Sequence, residues 1–306
     1  MPETLRVLPL VRDSWSHLYV QHCRIDRHLR AVALWDEEGM VPIPCAALMV
    51  LMLGPGVTIT HAAIATLAEH GCLVLWTGEL GVRMYALGMG ETHSSRRLQH
   101  QATLWADAQR RLEVVRRMYE FRFGERLSPG LGLPQLRGME GVRVREGYRR
   151  ASEEWGVPWH GRQYDRRHWK SADPLNRALS AANACLYGVC HAAIVAVGYS
   201  PALGFIHTGK MTSFIYDVAD LYKVETSIPA AFAAAAEDTE EVEAAARRHS
   251  RDAFYETRLL QTVVADLDRI LGYQERESSA GDPSTPGDIW DPASGAIGGG
   301  VNYADA

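Results

Sequence analysis

The chain has 306 residues, 47% hydrophobic, with a formal net charge of −5. This supports a substantial core and more readily two domains than one, and the net acidity gives no global sign of a nucleic-acid partner. The opening Met1-Pro-Glu-Thr-Leu-Arg6 carries charge and proline where a secretory signal needs an apolar run, and the most apolar stretch, 178–206, is broken by Asn183, His191 and Pro201, which argues against a membrane span.

In chain order, the first 87 residues read as a β-rich domain. Strand-like runs occur at Leu18-Tyr-Val20, Ala31–Trp35, Ala47–Met52 and Cys72–Trp76, with a turn at Asp36-Glu-Glu-Gly39. One helix interrupts them, capped by Thr60, running His61–Glu69 and stopped by Gly71. Residues 88–95 are a linker. Residues 96–272 form a larger all-helical domain. Leu98, Ala102, Trp105, Ala108, Leu112, Val115 and Tyr119 predict one continuous helix ending at Gly124. A second helix is predicted over 135–155. Asp173-Pro174 caps a third, nearly all small and apolar, as a central buried helix would be. Helices continue through 230–271. From residue 273 the chain is rich in Gly, Pro, Ser and Asp and reads as a flexible tail, with Ile289-Trp290 as an apolar anchor inside it. The fold class is therefore α+β, with strands first and helices second.

Five cysteines at irregular spacing argue for reduced thiols and a cytoplasmic protein. Cys185, Cys190 and His191 lack zinc-finger spacing and lie in an Ala-rich helix, so they read as core. Gly204-x4-Gly209-Lys210 begins like a phosphate-binding loop, but Met211 stands where Ser or Thr must hold magnesium, which rejects an NTPase.

Charge is unevenly placed. Residues 126–170 hold ten Lys or Arg against five acids, while 237–243 hold five acids and no base. That is compatible with a DNA groove and equally with solvated helix faces. The most informative segment is Gly204-Phe-Ile-His207-Thr-Gly-Lys210, followed by Tyr216-Asp217-Val-Ala-Asp220-Leu-Tyr-Lys223. Asp217 and Asp220 share a helix face at this spacing. Carboxylates suit a hard divalent cation, His207 extends the choice to manganese, and the lysines suit phosphate. Upstream, Arg137-Gly-Met-Glu140-Gly-Val-Arg143-Val-Arg145 sets one carboxylate among arginines.

These three segments, in this order, resemble the CRISPR spacer-acquisition integrases, the first of the two adaptation proteins, in the form found with type I-E Cascade systems. Arg122-Phe-Gly124-Glu125, Gly81-Val-Arg83-Met-Tyr85, Thr60-His61-Ala62-Ala63 and Cys185-Leu-Tyr187-Gly188-Val189 extend the match over roughly residues 8–272. The resemblance implies an N-terminal β-domain that forms homodimers, and a helical catalytic domain. It implies Mg2+ or Mn2+ held by Glu140, His207 and Asp220, with Asp217 alongside in catalysis. The reaction would be transesterification, a DNA 3′-hydroxyl attacking a phosphodiester at the repeat boundary of a CRISPR array. Arg83, Lys210 and Lys223 would contact phosphates, and Tyr164, Lys210 and Tyr216 would hold the single-stranded 3′ end, with Trp169 nearby. His22 stands where related proteins place a tyrosine wedge against the duplex end. Expected partners are double-stranded DNA with single-stranded 3′ ends, leader-repeat DNA, and a small ferredoxin-like second adaptation protein bridging two dimers. A general metal-dependent nuclease on branched DNA or repair intermediates would use the same ligands, and an inert DNA-binding scaffold is the alternative outside enzymes.

Overall fold

The computed structural model describes residues 17–29, 31–45, 48–78, 84–88, 95–162, 173–274, 289–292 and 295–297. The chain divides into two compact units, 1–273 and 274–306.

The first unit opens with strands in two sheets. β2 (Arg24–His28), β3 (Ala31–Asp36) and β4 (Gly39–Ile43) form an antiparallel meander. The β3–β4 turn is the expected one: Asp36 Oδ1 accepts from the backbone N–H groups of Glu38 and Gly39, and Gly39 sits at φ +131°, where a side chain would be strained. β6 (Thr58–Ile59) pairs in parallel with β2. The second sheet runs β1 (Leu18–Val20), β5 (Val50–Leu53), β7 (Leu73–Thr77) and β8 (Met84–Gly88). Its first three strands are parallel, and β8 is antiparallel to β7. The run expected to start at Ala47 enters its strand at Val50. Between β6 and β7 lies α1 (His61–Glu69), capped by the Thr60 hydroxyl on Ala63 N–H as predicted.

The parallel sheet is buried on both faces. Side chains alternate with period two. Leu51, Leu53 and Val74 face the β-rich core with Ile25, Val32 and Leu67, while Val50, Met52, Leu73 and Leu75 join the helical core. One apolar interior therefore crosses from the strand-rich to the helical part.

The helical part contains α2 (Arg96–Ala106), α3 (Ala108–Phe123), α4 (Leu133–Trp155), α5 (Pro174–Ala196), α6 (Ser213–Tyr222), α7 (Ser227–Ala236), α8 (Val242–Glu256) and α9 (Leu259–Leu271). The single helix predicted across 98–119 is two. Asp107 leaves helical geometry at ψ 119°, and its carboxylate caps α3 through Arg110 N–H. A side chain that bonds the next turn's N–H competes with helix continuation, so the apolar period survives while the helix breaks. α5 begins as expected, with Asp173 accepting from Asn176 N–H at 3.0 Å and Pro174 in the first turn. It is long and apolar enough to cross a membrane, but most of it is buried inside the protein, packed among α7, α8 and the sheet. A Cβ on Gly188 would lie 3.2 Å from Leu75 Cδ1, so the helix rests closely on β7. Fully buried Leu179 and Leu186 each contribute roughly 1.5–3 kcal/mol. All five cysteines are free and buried, and burial pushes the Cys72 and Cys185 thiols up to about 12, beyond nucleophilic use.

In the second unit, β9 (Ile289–Asp291) and β10 (Gly295–Ile297) form an antiparallel pair with Trp290 opposite Ala296.

Candidate active site

The segment after α5 turns sharply before α6, and Gly204 makes the turn possible. A Cβ there would overlap the His207 carbonyl and lie 2.7 Å from Ser213 Cβ. Asp217, on α6, organises the turn from within. Its side chain is fully buried. Oδ2 accepts from the N–H groups of Phe205 (2.6 Å) and Ile206 (3.0 Å), and Oδ1 accepts from His207 N–H (2.9 Å) and faces His207 Nδ1 at 2.7 Å. An acceptor-only carboxylate requires the imidazole proton on Nδ1. Nε2, on the other side of the ring, stands 4.0 Å from Asp220 Oδ2. Asp217 and Asp220 thus share a helix face as expected but divide the work: Asp217 orients His207, and Asp220 is available to a ligand.

The α2–α3 break holds the same segment from outside. Gln101, fully buried, donates to the carbonyls of Ser200 and Leu203 and accepts from Ser200 N–H. Trp105 Nε1 donates to Gly204 O at 3.0 Å, and Arg111 donates to the carbonyls of Gly204 and Phe205. Without the break at Asp107 these side chains would keep the continuous helical phasing.

Glu140 arrives from α4. Its Oε1 is 3.3 Å from Arg122 Nη1 and 3.8 Å from Arg143 Nη1, while Oε2 is buried with no hydrogen-bond partner. Burial pushes the Glu140 carboxyl above its usual range, against the opposing pull of Arg122 and Arg143. Asp220 is held likewise on one side: Oδ1 accepts from Lys223 Nζ at 2.6 Å, and Oδ2 stands 3.7 Å from Arg122 Nη2. Burial alone would lower the Lys223 pKa, but the Asp220 charge and Tyr187 raise it instead, so its ammonium is locked on.

Each candidate ligand therefore has one atom anchored and one held less closely: Glu140 Oε2 has no hydrogen-bond partner, and Asp220 Oδ2 and His207 Nε2 have ion-pair contacts only at 3.7 Å and 4.0 Å. Two carboxylate oxygens and one imidazole nitrogen suit Mg2+ or Mn2+, and an orphaned buried carboxylate oxygen is what such an ion would satisfy. Among the described residues no three such groups stand at ligating spacing. Arg122 lies between the two carboxylates instead.

The predicted DNA contacts fall partly in place. Tyr216 lies edge-on to His207 (5.8 Å between centroids) and to Tyr187 (5.2 Å), with Lys210 Nζ 6.0 Å from its ring. Lys223 Nζ is 5.0 Å from the Tyr187 ring. Lys210, Tyr216 and Lys223 thus gather beside His207 and Asp220. Arg83, Tyr164 and Trp169 lie outside the described residues. His22 is exposed, in left-handed backbone at φ 50°, at the turn after β1. Sequence reasoning gave no role to Arg122, Tyr187, Gln101, Trp105 or Arg111. For Arg122 and Tyr187 the signal was their position within resembling segments; for the other three there was none.

The sequence model described as CRISPR associated protein Cas1 matches residues 125–233, a span that includes Glu140, His207, Asp217 and Asp220. The chain is 52% identical over 303 residues to "CRISPR-associated endonuclease Cas1 2" of Thermus thermophilus, covering 98% of this chain and 93% of that protein. It is 41% identical over 300 residues to "CRISPR-associated endonuclease Cas1" of Clostridium sp., covering 97% and 99%. A solved TtCas1–DNA complex superposes with a TM-score of 0.81 at 50% identity, covering 93% of this chain and 99% of that one. This chain belongs to the CRISPR-associated Cas1 family.

Proposed function

We propose that this protein is a DNA endonuclease and integrase of CRISPR adaptation, which joins fragments of foreign DNA into a repeat array by metal-dependent transesterification. The observation that carries this reading is the division of labour at the centre. Glu140, His207 and Asp220, from α4, the turn after α5 and α6, each have one atom held by a neighbour, while Glu140 Oε2 has no hydrogen-bond partner. The reading is supported by the endonuclease names of its relatives and by the DNA-bound state of its structural neighbour.

Glu140, His207 and Asp220 would hold Mg2+ or Mn2+, which neutralises charge developing on the scissile phosphate. The residues themselves do the rest. Asp217 holds the His207 ring through Nδ1 and so fixes where Nε2 points. Lys210 and Lys223, with Arg83, would take phosphates, and Tyr216 with Tyr164 would stack the unpaired 3′ strand, to which Tyr187 adds a further ring. The nucleophile is the DNA 3′-hydroxyl, so the protein supplies none. We place it in the type I-E form, acting as a homodimer with a small second adaptation protein on leader-repeat DNA.

The test is incubation of the protein and that partner with a fragment bearing 3′ overhangs and a supercoiled array plasmid, in Mg2+ or Mn2+. Joined products should form at repeat boundaries and vanish with Glu140→Ala, His207→Ala or Asp220→Ala. Scission of branched DNA without joining would replace the integrase with a general nuclease. Tight binding with no strand chemistry in any metal would leave a scaffold.

A further inference from the structure

Among the described residues, Arg122 is the most buried cation of this centre. Its side chain is 2% exposed, against 16% for Arg143 and 26% for Lys223. Arg143 is also shared with Glu225, which is largely in solvent, so that arginine can relax outward. Arg122 instead donates weakly to Glu140 Oε1 at 3.3 Å and to the Asp217 carbonyl at 3.4 Å. It stands 3.7 Å from Asp220 Oδ2, and its Nε has no hydrogen-bond partner. Close charge-assisted hydrogen bonds run at about 2.7–2.9 Å, so Arg122 is spaced as a counter-charge between two carboxylates and closes on neither. A guanidinium cannot shed its proton to escape a second cation.

We propose that Arg122 is a built-in counter-cation that weakens divalent-ion binding to the free protein and makes ion uptake depend on a bound phosphodiester. The inference rests on the metal-dependent reading above and adds an order of assembly to it. Glu140 and Asp220 are already balanced by Arg122 and Lys223, with Arg143 divided between Glu140 and Glu225. A divalent ion entering alone brings two further positive charges beside a buried arginine. A phosphodiester brings the missing negative charge, so ion and DNA each raise the other's affinity by the same factor. The consequence is a nuclease centre that stays unloaded until DNA is in place.

The experiment measures Mn2+ affinity of the full chain by titration calorimetry, alone and with a short duplex whose 3′ overhangs end in dideoxynucleotides. The native protein should bind Mn2+ weakly alone and on the order of tenfold more tightly with DNA. Arg122→Gln should bind Mn2+ tightly without DNA and gain little from it, while Arg122→Lys, which keeps the charge, should behave as native. Arg122→Gln should also melt lower in EDTA, because Glu140 and Asp220 then face each other with less compensating charge, and recover with Mn2+. Equal Mn2+ affinity in Arg122→Gln and native protein, or a stability loss that Mn2+ does not restore, overturns the proposal. Glu140→Gln separates the two levels. If it binds Mn2+ as the native protein does, the metal reading itself fails; if it loses the ion while Arg122→Gln matches native, only the counter-cation role fails.

Discussion

Asp217 accepts four hydrogen bonds with two oxygens, three from backbone and one from His207. An amide at this position turns one acceptor into a donor facing donors. Asp217→Asn should therefore release the His207 turn and free the Nδ1 proton, costing roughly 10–100-fold in activity, as loss of a ligand's orienting partner does. The protein should stay folded, with about 1–3 kcal/mol lost in denaturant titration. Unchanged strand transfer by Asp217→Asn would show that His207 is oriented by something else. Gly204 works through the same turn: it is needed for the space its missing Cβ leaves between the His207 carbonyl and Ser213.

The break between α2 and α3 depends on the Asp107 cap, so Asp107→Ala should destabilise the protein by about 0.5–2 kcal/mol in denaturant titration. Because the break aims Trp105 and Arg111 at the Gly204 and Phe205 carbonyls, activity should fall too. A stability loss with fully native activity would confine Asp107 to capping. His191 on α5 and His17 before β1 are both buried. Burial lowers His191 to about 4, and burial with the charges of Arg251 and Arg247 lowers His17 to about 4. The unfolded chain binds these protons near 6.5 and the folded chain does not, so stability is full above pH 6.5 and falls as pH drops toward 4. Each histidine contributes roughly 1.4 kcal/mol per pH unit across that window. His191→Leu should flatten part of the acid limb of a melting-temperature profile; an unchanged profile would show that His191 does not drive it.

For the whole molecule, residues 274–306 form a unit of their own. Deleting residues 274–306 should leave the melting temperature and bare strand transfer largely intact. It should impair preference for fragments bearing the correct adjacent motif, measured as integration of motif-bearing against motif-lacking fragments. Equal discrimination by both proteins would make the tail a solvated extension, and a collapse of stability would make it part of the fold. The continuous core across the parallel sheet carries a different expectation. Val50 and Leu75 pack with the helices, so the strand-rich region and residues 96–272 should unfold in a single transition.

The sequence by itself determined the α+β order, the strands β1, β3, β5 and β7, most helix positions, and the three donors Glu140, His207 and Asp220 as candidates, because period-two and helical patterning, capping residues and short motifs are written locally. It placed Asp217 beside Asp220, since three residues apart is one helix face. Only the tertiary structure decided that one carboxylate is buried under the His207 turn while the other faces Lys223 and Arg122. Spacing along a helix says nothing about what packs over it. Only the tertiary structure, likewise, brought Arg122 between Glu140 and Asp220, and set Gln101, Trp105 and Arg111 on carbonyls 93 or more positions away in the chain. Those pairings depend on how α2, α3, α4 and α6 pack around the end of α5. Their side chains differ in no local pattern from ordinary surface and core residues of an amphipathic helix.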